Sequence, residues 1–139
     1  MRRAPCDTRD RVLRVSLWAT VLINLLGVYI FALPAFGMPS ALVPLSPQPY
    51  YAAQVAYTIA LFCGVYAWLA LQRRINRPLV IVGALGKLGF FTLAVAYWLA
   101  GDLTADIPLK ATPDLVLGLI FLWWALGSDA QPTFAATPR

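Results

Sequence analysis

The chain has 139 residues, of which 60% are hydrophobic and 12% are charged, and its net charge is +5. Soluble globular proteins carry about 25% charged residues, so this composition excludes an ordinary soluble domain and indicates a protein built for lipid. The sequence contains no His and no Glu, which excludes histidine-ligated haem or zinc and Ser-His-Asp catalysis.

The basic residues flank the apolar segments instead of forming one basic face. Five of the eleven Lys and Arg residues lie within residues 1–14, and Arg73, Arg74 and Arg77 lie together in a short polar turn. A nucleic-acid-binding domain would interleave them with exposed aromatic side chains on one surface. We therefore expect no nucleic-acid partner and use these positions as evidence on topology.

Four apolar segments follow one another along the chain, each close to the roughly 20 residues that a helix needs to cross a bilayer. They predict spans at about residues 15–33, 50–71, 79–100 and 112–128, within a membrane domain of residues 15–128. Residues 1–14 are a basic cytoplasmic arm, 34–49 an outer loop and 129–139 a disordered cytoplasmic tail in this interpretation. The predicted fold class is all-α, an antiparallel bundle of four transmembrane helices.

Orientation follows from the positive-inside rule. The N-terminal arm has five basic residues and the central turn three, whereas the loop of residues 34–49 has none and the link after the third span has only Lys110. Both termini are therefore expected in the cytoplasm (N-in, C-in), and the protein is expected to be multi-pass in the bacterial inner membrane.

A competing interpretation treats the first span as a cleaved signal peptide, with Ala35-Phe36-Gly37 as the cleavage site. The apolar stretch of this span is longer than the usual signal-peptide core, which favours a retained helix. The sequence also offers no lipid anchor, since Arg2 stands where N-myristoylation needs a glycine.

The outer loop, residues 34–49, contains five prolines and is longer than the two to eight residues that usually connect bundle helices. Prolines lower the entropic cost of ordering a loop, and Phe36, Met38 and Leu42 supply apolar surface that is unfavourable in water. We therefore expect an ordered lid over the outer mouth of the bundle.

A polar layer is expected at the middle of the bilayer, where Lys87, Asn24 and Cys63 reach about the same depth at 1.5 Å per helical residue. A lysine at this depth costs about 2.5–3.5 kcal/mol on insertion scales. Lys87 either extends toward the cytoplasmic headgroups or points into the bundle, bonds to Asn24 and offers its charge to a ligand. We favour the inward orientation, because intramembrane ionisable groups usually face the interior. Cys63 is expected to pack as an inert thiol.

A second polar layer is expected toward the outer face, with Gln54 and Tyr57 on the second span and Asp114 at the start of the fourth. The run Thr112-Pro113-Asp114 is typical of a helix start, with Thr112 as the cap and the carboxylate in the first turn. The vertical gap from Lys87 to Asp114 is then about 8 Å, which a water or ligand would have to bridge. The candidate ligand-binding residues are Lys87, Asn24, Gln54, Tyr57 and Asp114.

Short motifs mark the ends of the spans. Phe31-Ala32-Leu33-Pro34 closes the first, Gly83-Ala84-Leu85-Gly86-Lys87 lies within the third, Trp98-Leu99-Ala100-Gly101-Asp102 ends it, and Pro113-Asp114-Leu115 opens the fourth. Over about residues 15–127 they resemble small bacterial inner-membrane proteins that are loosely similar to the DoxX-like four-helix proteins. DoxX is associated with a membrane quinone oxidoreductase, so the resemblance implies a four-helix fold and an accessory subunit that handles a quinone or another amphiphile. It carries over no catalytic residue.

Three functions of different class remain. The first is a non-catalytic integral membrane protein, either an accessory subunit of a larger membrane complex or a binder of a lipid-like or quinone-like molecule within the bundle. The second is a small transporter, which would need a homo-oligomer to enclose a pathway. The third, an enzyme with Lys87 as electrophile or Schiff-base amine, has the fewest candidate parts. We expect no metal, and no cofactor other than such a quinone or lipid.

Reporter fusions test the predicted topology. Fusions after Ile75 and Thr133 should report a cytoplasmic location and fusions after Gln48 and Asp106 a periplasmic one, because basic residues crowd the segments on the first side. Periplasmic activity of the Ile75 fusion would contradict the model.

Overall fold

The computed structural model describes residues 8–39 and 48–127, and this part of the chain forms four helices. They are α1 (Thr8–Ala35), α2 (Pro49–Leu71), α3 (Arg77–Leu99) and α4 (Asp106–Gly127). All four are long and apolar enough to cross a membrane. The predicted all-α four-helix fold is confirmed, and the protein is a multi-pass membrane protein by the length and composition of its helices.

Neighbouring helices run in opposite directions. Arg14 near the start of α1 bonds to the carbonyls of Ala70 and Gln72 at the end of α2, and Trp124 near the end of α4 donates to Asp10 on α1. We call this end, with the turn of residues 72–76, the basic end. The opposite end, where α1 and α3 finish and α2 and α4 begin, is called the loop end.

The bundle consists of two helical hairpins. α1 packs along α2 and α3 along α4, whereas the contacts between hairpins are fewer and join α1 to α4 and α2 to α3. The core that both hairpins share lies in the half of each helix nearer the basic end: Leu13, Leu17, Val21, Cys63, Tyr66, Leu69, Ala70, Val80, Ala84, Phe121, Trp124 and Ala125. Toward the loop end the hairpins therefore have less to hold them together.

Two helices begin six or seven residues before the spans predicted from hydropathy. α1 begins at Thr8, because residues 8–14 contain polar residues but no helix breaker and continue the helix beyond the apolar segment. α4 begins at Asp106, with Pro108 in its first turn, where a missing N–H breaks no helical hydrogen bond. The predicted cap at Thr112 is wrong, since its hydroxyl lies inside the helix and donates to the carbonyl of Pro108 at 3.4 Å.

Two glycines with positive φ end the helices that finish at the loop end. Gly37 follows α1 with a φ of 74° and Gly101 follows α3 with a φ of 87°. In each case the glycine N–H and the next N–H bond back to carbonyls of the last helical turn, which is the Schellman pattern. The motif Trp98-Leu99-Ala100-Gly101-Asp102 thus acts as a helix stop. Half of the predicted lid, residues 40–47, and the tail of residues 129–139 lie outside the described residues.

Close packing of α3 on α4 generates a prediction about glycines. A Cβ atom at Gly118 would lie 2.8 Å from Leu88 Cγ and 3.3 Å from the Leu88 backbone nitrogen, whereas a Cβ at Gly89 would meet nothing within 4 Å. Gly118→Ala should therefore destabilise the protein by about 1–3 kcal/mol through overpacking. Gly89→Ala, the control, should stabilise it by up to about 1 kcal/mol, because alanine is the better helix former. Unfolding in mixed micelles measures both, and equal effects would show that α3 and α4 do not approach so closely.

Candidate functional site

Lys87 lies at the middle of α3 and faces the interior of the bundle. Its side chain is buried, with the residue 8% exposed. The ammonium donates to Oδ1 of Asn24 on α1 at 3.0 Å and to Oδ1 of Asp114 on α4 at 2.5 Å. The predicted inward orientation and the bond to Asn24 are confirmed, and the lysine does not extend to the headgroups. We call these three residues the Lys87 cluster.

The predicted need for a water or ligand between Lys87 and Asp114 is wrong, because the two side chains form a direct ion pair. A Cβ at Gly118 would lie 3.3 Å from the Leu88 backbone nitrogen, so Asp114, four residues before Gly118, lies about 6 Å farther toward the loop end than Leu88. The lysine and aspartate side chains together span this difference in depth. Neither a water nor a ligand is needed to join the charges. The ion pair links α3 to its own partner helix, and the bond to Asn24 links it to the other hairpin.

Tyr66 on α2 completes the surroundings of the lysine, and sequence reasoning missed it. Its ring centroid lies 5.9 Å from Lys87 Nζ, within the range of a cation–π contact, and its hydroxyl donates to the carbonyl of Gly83 at 3.4 Å. A Cβ at Gly83 would lie 2.8 Å from a ring carbon, so the glycine makes room for the tyrosine. The available signal was this glycine one helical turn before the lysine, which indicates that a bulky group approaches there.

Some polar atoms of the Lys87 cluster remain available. Asn24 Nδ2, Asp114 Oδ2 and one of the three lysine N–H groups make no hydrogen bond with the described residues. Across residues 8–39 and 48–127, the one fully buried side-chain nitrogen or oxygen without a partner is Nε of Arg77. The amide nitrogen and carboxylate oxygen therefore keep some accessible surface. The cluster is neutral overall, yet it offers donors and an acceptor.

A groove of about 560 Å³ opens between α2 and α3 in the half of the bundle near the loop end, and we call it the α2–α3 groove. Two of the predicted site residues, Gln54 and Tyr57, line it and do not touch the Lys87 cluster. Tyr57 is 71% exposed, and the amide of Gln54 donates to the hydroxyl of Tyr50 at 3.1 Å. The complete lining is Gln54, Val55, Tyr57, Thr58, Ile59 and Phe90.

The groove and the cluster are one helical turn apart. Phe90 in the groove wall follows Lys87 by three residues on α3. On α2, Ile59 of the groove lining packs against Gly27 of α1: a Cβ added to Gly27 would lie 3.5 Å from two side-chain carbons of Ile59. Gly27 follows Asn24 by three residues. Both steps lead toward the loop end. The groove therefore begins about 4.5 Å along the helices from the cluster.

Cys63 and the exposed carboxylates belong to neither region. The thiol of Cys63 is buried 3.6 Å from the carbonyl of Val21, consistent with a packing role. Asp106 pairs with Lys110 at 2.6 Å on the surface. Within the described ranges, no three His, Cys, Asp or Glu side chains are grouped as a metal site would require.

Comparison of the chain with protein-family models, with curated proteins and with solved structures gives no match. The resemblance to DoxX-like proteins therefore stays a prediction. What the site can do follows from its geometry and chemistry.

Two ion pairs in the same chain allow a matched test of the buried one. Lys87→Leu should destabilise the protein by about 3–5 kcal/mol, because it leaves the Asp114 carboxylate unpaired in a low-dielectric interior. The double variant Lys87→Leu/Asp114→Leu should regain most of that loss, since the charge is then no longer buried. Lys110→Leu breaks the exposed pair with Asp106 and should change stability little. Unfolding in mixed micelles measures all three, and a single variant as stable as the wild type would show that the pair is not buried.

Proposed function

We propose that the protein is a non-catalytic membrane protein of the bacterial inner membrane that binds a lipid-like or quinone-like molecule in the α2–α3 groove, beside the Lys87 cluster. In this proposal both termini are cytoplasmic, so the groove lies toward the periplasmic leaflet. The protein then acts as a ligand-binding accessory subunit of a larger membrane complex, as the resemblance to DoxX-like proteins implies.

The observation that carries the proposal is a row of polar side chains in a groove that faces lipid. Gln54, Tyr57 and Thr58 are exposed within a helix that is long and apolar enough to span the membrane. Polar groups placed against hydrocarbon are unfavourable unless they find a partner. The groove volume of about 560 Å³ is within the range of about 300–1,000 Å³ typical of small-molecule sites. Among the described residues Gln54 already donates to Tyr50 and Thr58 donates to the carbonyl of Gln54, whereas the hydroxyl of Tyr57 has no partner. An amphiphile with polar atoms would fill this space and satisfy that hydroxyl.

The chemistry of the lining indicates a neutral ligand. No charged residue of the described ranges lines the groove, and the neighbouring Lys87 cluster carries a charge pair with no net charge. Phe90 and Tyr57 supply aromatic faces against which a flat ring packs favourably. Within the groove the hydroxyl of Tyr57 is a donor for a carbonyl oxygen, and the amide of Asn24 and the third N–H of Lys87 are further donors about one helical turn away. A quinone head group combines a flat ring with two carbonyls.

A transporter is the second candidate, and the buried ion pair favours it. Ionisable groups at mid-membrane often mark pathways for ions or protons. Such a pathway would require a second copy of the chain, since four helices cannot enclose one. An enzyme that uses Lys87 as an amine nucleophile is less consistent with the site, because an ammonium held by a carboxylate has no free electron pair.

A groove-filling variant tests the proposal. Val55→Trp places a bulky ring in the groove, whereas Leu26→Trp adds a ring at an exposed position about 200° around α1 from Asn24. Wild type and both variants are extracted in polymer-bounded native membrane discs, and the lipophilic molecules that co-purify are identified and counted by mass spectrometry. We expect a stoichiometric ligand with the wild type and Leu26→Trp, and at least a tenfold loss with Val55→Trp.

A circular dichroism spectrum and a melting curve verify that both variants remain folded. Equal ligand recovery from the two tryptophan variants would place the ligand outside the groove. Recovery of bulk lipid in bulk proportions from the wild type would contradict specific binding. Ion-coupled flux in vesicles, without any retained ligand, would favour the transporter.

A further inference from the structure

The basic end carries a concentrated positive charge. Among the described residues, six arginines lie there against one aspartate, Asp10, which accepts a hydrogen bond from Trp124. At the loop end, Lys110 stands against Asp102 and Asp106. The charges of Lys87 and Asp114 cancel at mid-membrane. The positive charge is therefore concentrated at one end of the folded bundle, the basic end, and not only in certain segments of the sequence.

Hydrogen bonds order the turn between α2 and α3, and none of them uses the side chains of Arg73 and Arg74, which point outward. The guanidinium of Arg14 donates to Ala70 at 2.5 Å and to Gln72 at 2.6 Å, which satisfies carbonyls at the end of α2. The side chain of Gln72 accepts from the backbone N–H of Asn76 at 3.1 Å. Arg73 and Arg74 are exposed, and their guanidinium groups bond to none of the described residues.

Arg77, the first residue of α3, adds an independent observation. Its Nε is buried but has no hydrogen-bond partner in the described part of the chain. The terminal nitrogens of Arg77 likewise make no hydrogen bond with the described residues, but they keep accessible surface. An acceptor from outside the described residues can therefore reach the terminal nitrogens, and the unsatisfied guanidinium favours one.

We propose that the turn of residues 72–76 and the first residue of α3 bind the phosphate of an anionic phospholipid, through Arg73, Arg74 and Arg77. Guanidinium groups match phosphate oxygens in charge and in planar geometry, and a phosphate oxygen supplies an acceptor for the terminal nitrogens of Arg77. The turn joins two membrane-spanning helices, which places it at the level of the headgroups of that leaflet. A lipid already in the leaflet meets this site without leaving the membrane. The inference is independent of the ligand in the α2–α3 groove.

Competition between lipids measures the site. The protein is reconstituted in vesicles with brominated phosphatidylglycerol or brominated phosphatidylcholine, and tryptophan quenching gives their relative association constant. In a Trp98→Phe background, the remaining four tryptophans lie in the helix halves nearer the basic end. We expect a preference for phosphatidylglycerol that falls on the order of fivefold with Arg74→Gln, as expected from about 1 kcal/mol per arginine at a charged surface.

Two further variants separate a specific site from diffuse attraction. Arg11→Gln removes the same charge from an exposed position on α1 at the same end and should lower the preference less than Arg74→Gln does. Arg77→Lys keeps the charge but removes the planar pair of terminal nitrogens, so it should also weaken the preference. Equal effects of Arg11→Gln and Arg74→Gln, or an Arg77→Lys variant that matches the wild type, would overturn the proposal. Loss of the preference on adding inorganic phosphate at constant ionic strength would assign the site to free phosphate instead of lipid.

Discussion

The buried ammonium of Lys87, bonded to both Asp114 and Asn24, is the constraint on which the arrangement of the two hairpins depends. An ammonium at mid-membrane is stable only beside a partner that compensates its lost hydration. The carboxylate that pairs with it lies on α4, and the amide that accepts its second hydrogen bond lies on α1. These two bonds set the rotation of α3 about its axis. The bond to Asn24 also joins the two hairpins at a level where the shared apolar core is ending.

Packing around this pair uses small residues where helices must approach. Lipid tails are as apolar as leucine, so helices in a membrane associate through close contact and hydrogen bonds rather than through exclusion of water. Gly83 admits the ring of Tyr66 beneath the lysine, and Gly118 admits Leu88. Near the basic end, bulky side chains from all four helices fill the core. Nearer the loop end, no core side chains fill the space between α2 and α3 in the described part of the chain, and the α2–α3 groove opens there.

The candidate site could be predicted only in part. The depth of Lys87 and Asn24 follows from counting residues, and the cost of an unpaired charge predicts that the lysine turns inward. Counting did not predict that Asp114 pairs directly with Lys87, because the pairing depends on the reach of both side chains and on how α3 and α4 face each other. It also placed the start of α4 too late, since a hydropathy pattern puts the boundary at the apolar run, whereas Asp106 and Pro108 extend the helix through polar sequence. Gln54 and Tyr57 lie in the groove and not with the lysine, because that half of α2 is not packed against α3.

Composition, span lengths and charge positions determined a membrane protein with four helices, since those properties act locally and add along the chain. Partners across the bundle were decided by the tertiary fold. Pairing of Lys87 with Asp114 depends on how α3 and α4 are rotated about their axes, and the place of Tyr66 depends on Gly83, which lies 17 residues away on the next helix. Such contacts join residues far apart in the chain, and their geometry exists only when the hairpins meet.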